Sequence, residues 1–145
     1  MKAPNAFLLG GNGRPIPGKA GTLKGTTTGV SPNQGGGHAE EYFLMKLMAF
    51  ADQFYLPSEI EIYISRIPCA STSMKWNFSF KGVHMSLPAG CGAKLYAVIK
   101  TLSMVNWYIA YGEGYTGQTQ SSSLAWINRI DSLPNAEAGH ISKFI

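Results

Sequence analysis

Apolar residues recur at two different spacings along the chain, and the change between them predicts its central elements. From His38 to about Tyr55 they fall three or four positions apart, as on one face of a helix, and Pro57 ends the pattern. Over Ser58–Ile67 isoleucines alternate with more polar residues, which predicts a strand with one buried face. A helix that packs on the core therefore precedes a central strand.

The same two spacings continue in the second half of the chain. Alternation on either side of Gly82 predicts a hairpin, and a wholly apolar strand further on is expected to be covered on both faces. The predicted elements are a hairpin with strands at Lys75–Lys81 and Val83–Leu87, a helix from Cys91 to about Val105, a strand at Asn106–Tyr111 and a short helix capped by Ser121–Ser123. The tail from Pro134 predicts no element.

The first 37 residues are rich in Gly, Pro, Thr and Asn. Their two short strand candidates, Ala6–Leu9 and Thr22–Thr28, are interpreted as a loose hairpin with a long loop. Three glycines then precede His38, and glycine lets the backbone approach closely whatever that histidine binds. Strands and helices in this order predict one α/β domain over residues 1–145, a sheet flanked by helices.

Charge and targeting signals limit the partners. The net charge is +4; the first 39 residues contain four cations and no acid, and the stretch between Glu61 and Glu113 contains five cations and no acid. Such stretches favour an anionic partner, although solubilising lysines on a modestly basic domain would explain them equally well. We expect neither a signal peptide nor a membrane span, because no suitable apolar run is present.

A histidine, a glutamate and two cysteines fall where predicted elements begin or end. His38 and Glu40 open the first helix, Cys69 follows the central strand, and Cys91 opens the next helix. One imidazole and two thiolates can hold zinc with its fourth position open, and a nearby glutamate can transfer protons. Singly, these residues also suit a helix cap, a core cysteine and a first helical turn. Their joint order favours a catalytic zinc site.

With these residues the chain resembles the zinc-dependent cytidine/deoxycytidylate deaminase superfamily, and within it the nucleic-acid deaminase toxins at the C-termini of bacterial polymorphic toxins. The likeness covers about residues 22 to 131, and its specific parts are His38-Ala39-Glu40 and Ser65-Arg66-Ile67-Pro68-Cys69. It implies a cytidine-deaminase-like mixed β-sheet, with His38, Cys69 and Cys91 as zinc ligands and Glu40 as the proton shuttle. The Ala39 backbone and the corner that includes Ser65, Arg66 and Pro68 would form the pocket wall.

The spacing of the cysteines departs from the family pattern, in which a second cysteine follows Pro-Cys by three residues. Thr72 occupies that position, and Cys91 is 22 residues beyond Cys69. We interpret the predicted hairpin as an insertion between the two cysteine ligands, because Cys91 still opens a helix. His84 is the competing third ligand.

The inserted hairpin would bring basic and aromatic side chains close to the metal site. Lys75 and Trp76 are the candidate substrate contacts, because aromatic rings stack on unpaired bases and lysines contact phosphates. The hairpin aromatics, Phe78 above all, can instead pack the hairpin onto the domain. We therefore expect zinc-dependent hydrolytic deamination of cytosine to uracil in DNA that is single-stranded or locally opened, with RNA as the alternative substrate.

The resemblance also implies a biological setting. We expect a monomeric antibacterial toxin domain that is secreted as part of a larger toxin, acts in the cytoplasm of the target cell and has a cognate immunity protein. Two other functions are open: a free nucleoside or nucleotide deaminase, and a non-catalytic zinc module that binds nucleic acid. Glu40 discriminates against the last, because a structural zinc site needs no carboxylate there.

Overall fold

The structure is a computed structural model that describes residues 6–9, 26–27, 40–41, 43–45, 47, 59–70, 76–80, 83–114 and 117–144. Its elements in chain order are β1 (Ala6–Leu9), β2 (Thr26–Thr27), β3 (Glu59–Arg66), β4 (Trp76–Phe80), β5 (Val83–Leu87), α1 (Cys91–Thr101), β6 (Asn106–Glu113), α2 (Gly117–Asp131), β7 (Ala136–His140) and a 3-10 helix (Ile141–Phe144). Residues 40–41, 43–45 and 47 are also helical. We call them the Glu40 segment.

Five of the described strands form one sheet in the order β2-β1-β3-β6-β7. Each neighbouring pair in it is parallel, so the sheet is parallel in the described part of the chain, and the expected mixed sheet is corrected. Parallel neighbours need long crossover connections, and α1 and α2 supply them on either side of β6. The predicted α/β class, a sheet flanked by helices, is confirmed.

The pairing of the first two strands differs from the predicted hairpin. Leu8 lies opposite Thr26 in a parallel register, and the strand within Thr22–Thr28 is confined to Thr26–Thr27. A hairpin would have made the two strands antiparallel. Residues 10–25 between them are long enough for a crossover.

The core lies between the two central strands and the helices. Ile60 of β3 lies opposite Trp107 of β6, and both side chains are buried. The Trp107 indole contacts the Phe43 ring edge-on at 6.3 Å, which places the Glu40 segment on this face of the sheet. The polar face predicted for β3 is covered as well, since Glu61 is 1% exposed. A strand between two neighbours in a parallel sheet is usually buried on both faces.

The predicted antiparallel hairpin is present as β4 and β5, outside the main sheet. The stripe expected to be buried on α1 is also confirmed: Leu95, Val98, Leu102 and Val105 are all at most 2% exposed. The helix itself ends at Thr101, before the predicted end near Val105.

A single side chain ties the end of α1 to the last two strands of the sheet. The Asn135 amide donates to the carbonyls of Ile99 at 3.0 Å, Leu102 at 3.4 Å and Val105 at 3.0 Å. The last carbonyls of a helix have no partner within it, so Asn135 satisfies them and lets the chain leave α1 early. The backbone carbonyl of Asn135 accepts a separate hydrogen bond, from the backbone N–H of Trp107 in β6 at 2.8 Å.

The end of the chain contains more structure than its sequence predicts. α2 begins at Gly117, so Ser121–Ser123 lie inside the helix and do not cap it; Ser121 Oγ donates back to the Gly117 carbonyl at 3.4 Å. Beyond Pro134, β7 pairs with β6 although its sequence is Ala-Glu-Ala-Gly-His. These residue types are not strong strand formers, and pairing with a buried neighbour overrides their propensity.

We expect Asn135→Ala to lower the free energy of unfolding by about 1–3 kcal/mol, because it leaves buried carbonyls without a donor. Urea denaturation measures the change. Ser132→Ala is the control, since the exposed Ser132 hydroxyl donates to one carbonyl, that of Arg129 at 2.7 Å, and its loss should cost at most about 0.5 kcal/mol. Equal losses in the two variants would contradict this role for Asn135.

Candidate metal centre

Cys69 lies just beyond the carboxyl end of β3, at the edge where parallel α/β sheets bind ligands. The Ile67 N–H donates to the Glu113 carbonyl at 2.7 Å, so the chain stays bonded to β6 past the end of the strand. Ile67, Pro68 and Cys69 are all buried. The end of the strand therefore carries Cys69 into the interior of the domain.

The two cysteines meet at the N-terminus of α1. The Cys91 N–H donates to Cys69 Sγ at 3.2 Å, and the Gly92 N–H donates to the Cys69 carbonyl at 3.0 Å. Neither cysteine is in a disulfide, and both are buried, with exposures of 4% for Cys69 and 0% for Cys91. The first N–H groups of a helix have no partner within it, so Cys69 caps α1. The positive end of the helix dipole and the N–H donor favour a thiolate there.

A buried ion pair joins the Glu40 segment to the first turn of α1. Lys94 Nζ lies 3.6 Å from Glu41 Oε2, with the Lys94 side chain 0% exposed and that of Glu41 12% exposed. The Lys94 N–H donates to the Gly90 carbonyl, so this lysine is one turn beyond the start of the helix. Glu40 is next to Glu41 and 6% exposed. Glu40 is therefore buried in the segment that the ion pair holds against α1.

The structure places the predicted site residues in three groups. Cys69 and Cys91 are in contact, and Glu40 lies in the segment fixed by the ion pair. Pro68 is buried, whereas Arg66 is exposed and its Nη2 lies 3.7 Å from Glu113 Oε2. The remaining predictions lie outside the described residues: His38, Ala39 and Lys75 in full, and the side chains of Ser65 and Trp76.

Of the three expected metal ligands, two lie in the described part of the chain, namely Cys69 and Cys91. In the described ranges, no group of three or more His, Cys, Asp and Glu side chains could hold a metal ion. His38, the third ligand of the expected set, lies outside those ranges. The competing ligand His84 is exposed on β5, whereas Leu87 of the same strand is buried. Side chains alternate along a strand, so His84 points away from the interior that holds both cysteines.

Sequence reasoning missed Lys94 and His140. Lysine is seldom fully buried unless it is paired, and nothing in the spacing of the sequence connects Lys94 to Glu41. His140 ends β7: its Nδ1 accepts from the Ser142 N–H at 3.1 Å, so its Nε2 carries the proton and donates to the Gly112 carbonyl at 3.0 Å. Both ring nitrogens are engaged, and His140 therefore stabilises this edge of the sheet.

Neither a protein-family model, a curated protein nor a solved structure matches the chain. None of the helices in the described ranges combines the length and apolar character needed to cross a membrane. Function must therefore be inferred from the cysteine pair, Glu40 and the side chains around them.

We expect the protein to bind one equivalent of zinc and to lose most of it in Cys69→Ala and in Cys91→Ala, because thiolates are strong zinc ligands. Metal analysis after dialysis measures the content, with circular dichroism to check folding. His84→Ala is the control and should keep its zinc. Full retention in Cys91→Ala together with loss in His84→Ala would assign the third ligand to His84.

Proposed function

We propose that this protein is a zinc-dependent deaminase that converts cytosine to uracil in DNA. The observation that carries the proposal is the 3.2 Å hydrogen bond from the Cys91 N–H to Cys69 Sγ. It brings together two cysteines that lie 22 residues apart in the chain, as an insertion between two cysteine ligands requires. Two buried thiols with no disulfide between them suit a metal site better than they suit a crosslink.

The order of the elements supports the same proposal. Two strands, the Glu40 segment, β3, α1, β6 and α2 follow one another as expected for a deaminase-like domain. The β4–β5 hairpin stands between Cys69 and Cys91 and belongs to its own two-stranded sheet. An element outside the main sheet can be inserted without disturbing the strands that position the site.

The donor set fits zinc. Cys69, Cys91 and the imidazole of His38 would supply three ligands and leave a fourth position open, as catalytic zinc sites do. When bound, zinc supplies a Lewis acid that makes water nucleophilic at neutral pH. The N-terminus of α1 stabilises the negative charge that the two sulfurs bring to such a site.

Glu40 carries the protons of the proposed reaction. Its carboxylate takes one proton from the water that attacks C4 of cytosine and delivers it to the ring nitrogen N3. It then takes the proton of the hydroxyl now bonded to C4 and gives it to the amino group, which leaves as the C4–N bond breaks and the C4 carbonyl forms. Cytosine and water thus give uracil and ammonia. Glu40 is 6% exposed, so bulk water is largely kept from the carboxylate while it holds the proton. A buried carboxylate at this position favours an enzyme over a module in which zinc is purely structural.

Arg66 supports substrate contact at the mouth of the site. Its guanidinium pairs with Glu113 at 3.7 Å, but both side chains are more than half exposed. Exposed ion pairs contribute little free energy, so Arg66 can exchange Glu113 for a phosphate at low cost. Lys75 and Trp76, where the hairpin begins in the sequence, stay proposed substrate contacts.

The biological setting belongs to the proposal too. On the likeness to polymorphic toxins, this domain is a monomeric antibacterial toxin that is secreted within a larger protein and acts on DNA in the cytoplasm of the target cell. A cognate immunity protein would protect the producing cell. RNA is the alternative polynucleotide.

We expect Glu40→Gln to lower the rate of conversion by about 10²–10⁴-fold without loss of zinc, because it removes a general acid–base group and not a ligand. The assay incubates the protein with single- and double-stranded DNA and RNA and sequences for C-to-U changes. Glu137→Gln, an exposed carboxylate on β7, is the matched control and should keep full activity.

Three results would redirect the proposal. Activity of Glu40→Gln within about tenfold of the unsubstituted protein would refute the proton-transfer role. Conversion of free cytidine but of no polynucleotide would identify a nucleoside deaminase. Zinc binding with no conversion of any substrate would favour the structural zinc module.

A further inference from the structure

The outer faces of α1 and α2 carry two aromatic rings flanked by two cations. The Tyr96 and Trp126 rings lie 5.8 Å apart at an angle of 56°, and both side chains are half-buried. Lys100 Nζ lies 5.8 Å from the centre of the Tyr96 ring, and the Arg129 guanidinium lies 4.5 Å from that of Trp126. We call these four residues the aromatic–basic row.

The cations of the row differ from the other described cations in what they contact. Of the lysines and arginines in the described ranges, three pair with carboxylates, namely Arg66, Lys94 and Lys143, and Lys143 also lies over the Phe144 ring. Lys100 and Arg129 contact aromatic rings and form no ion pair with a described carboxylate. A ring attracts a cation through its quadrupole but does not cancel its charge. The positive charge of the row is therefore available to an anionic partner.

Acidic residues are also scarce on the two helices. α1 contains none, and α2 contains only Asp131, whose Oδ1 pairs with Lys143 Nζ at 2.6 Å. Burial raises the pKa of Asp131, but hydrogen bonds from Lys143 and the Ala138 N–H and the charge of Lys143 outweigh it and hold the pKa below its usual value. Asp131 is thus committed to Lys143.

The row starts at the candidate metal centre. A Cβ built on Gly92 would lie 2.7 Å from Trp126 Cβ, so Trp126 sits directly against the residue that follows Cys91. Tyr96 and Lys100 lie one and two turns further along the same face of α1. At 1.5 Å per residue, Gly92 to Lys100 spans about 12 Å. That is the length of about three nucleotides of a stacked strand.

We propose that a single-stranded polynucleotide lies along the aromatic–basic row, with bases against Tyr96 and Trp126 and phosphates at Lys100 and Arg129. The inference rests on the proposed function, because it places nucleotides that flank the target cytosine. Two adjacent rings with a cation on either side offer stacking surfaces for neighbouring bases and positive charge for the phosphates that flank them. A paired duplex would keep its base faces covered, and an acidic protein would use the cations but not the rings.

The test measures binding in the Glu40→Gln background, so that it does not depend on turnover. Fluorescence anisotropy of a labelled, cytosine-containing DNA strand gives the affinity across a range of salt concentrations. Each lost phosphate contact flattens the slope of log affinity against log salt by about 0.7 for single strands, so Lys100→Ala with Arg129→Ala should flatten it by about 1.4. Lys143→Ala, a cation already compensated by Asp131, should change the slope far less.

A second variant tests the rings. Tyr96→Leu should weaken strand binding by roughly 5- to 150-fold, since it removes one stacking surface, and should leave the melting temperature nearly unchanged. Trp126 is a poorer target because it is packed against Gly92 and its loss would disturb the start of α1. The cation pair, at exposed positions, keeps the test independent of folding.

The outcomes separate the row from the reaction. If the variant with both Lys100→Ala and Arg129→Ala binds the strand as Lys143→Ala does, the proposed binding along the row is refuted, even if the unsubstituted protein converts cytosine. If strand binding depends on the row but the unsubstituted protein converts no cytosine, the row is confirmed as a binding surface and the deaminase proposal is refuted. If the Glu40→Gln protein binds no strand at low salt, the proposed binding of a polynucleotide along the row is also refuted, and an acidic protein becomes the alternative partner.

Discussion

The contact between Cys69 and the first turn of α1 is the constraint on which the rest of the site depends. The end of the central strand supplies the cap that α1 lacks, because both the sulfur and the carbonyl of Cys69 accept N–H groups from that helix. Gly90, with a φ of 97°, adopts a backbone conformation that suits glycine and lets the chain turn into the helix. The sulfur and carbonyl of Cys69 therefore do two things: they satisfy N–H groups at the N-terminus of α1, and they hold Cys69 in contact with Cys91.

The Lys94–Glu41 ion pair fixes the position of the Glu40 segment relative to α1. A buried ion pair is weak evidence of stability, because removing two charges from water costs about as much as their attraction returns. Its effect is on position: leaving either charge alone in the interior is costly, so the Glu40 segment must stay beside the first turn of α1. The position of the segment that carries the buried Glu40 therefore depends on a charged pair and not on apolar packing alone.

Periodicity predicted the elements whose burial is decided locally, and missed those decided by a distant partner. The alternating isoleucines of β3 and the helical stripe of α1 identified both elements. β7 was missed because Ala-Glu-Ala-Gly-His becomes a strand only beside β6. The parallel register of β1 and β2 is likewise set by the sheet and not by the turn chemistry between them. In the site, Cys69 and Cys91 are in contact, and the roles of both cysteines, Glu40 and the other proposed site residues stay predictions.

The structure changes which cations support the anionic partner that the sequence suggested. The acid-free stretch between Glu61 and Glu113 suggested an anionic partner, yet two of its described cations, Arg66 and Lys94, are engaged by carboxylates from outside that stretch. Lys100 is the described cation of the stretch that contacts a ring, and its counterpart Arg129 comes from α2. The surface that we propose for an anionic partner is therefore formed where α1 packs on α2, and the packing of Trp126 against Gly92 places it beside the residue that follows Cys91.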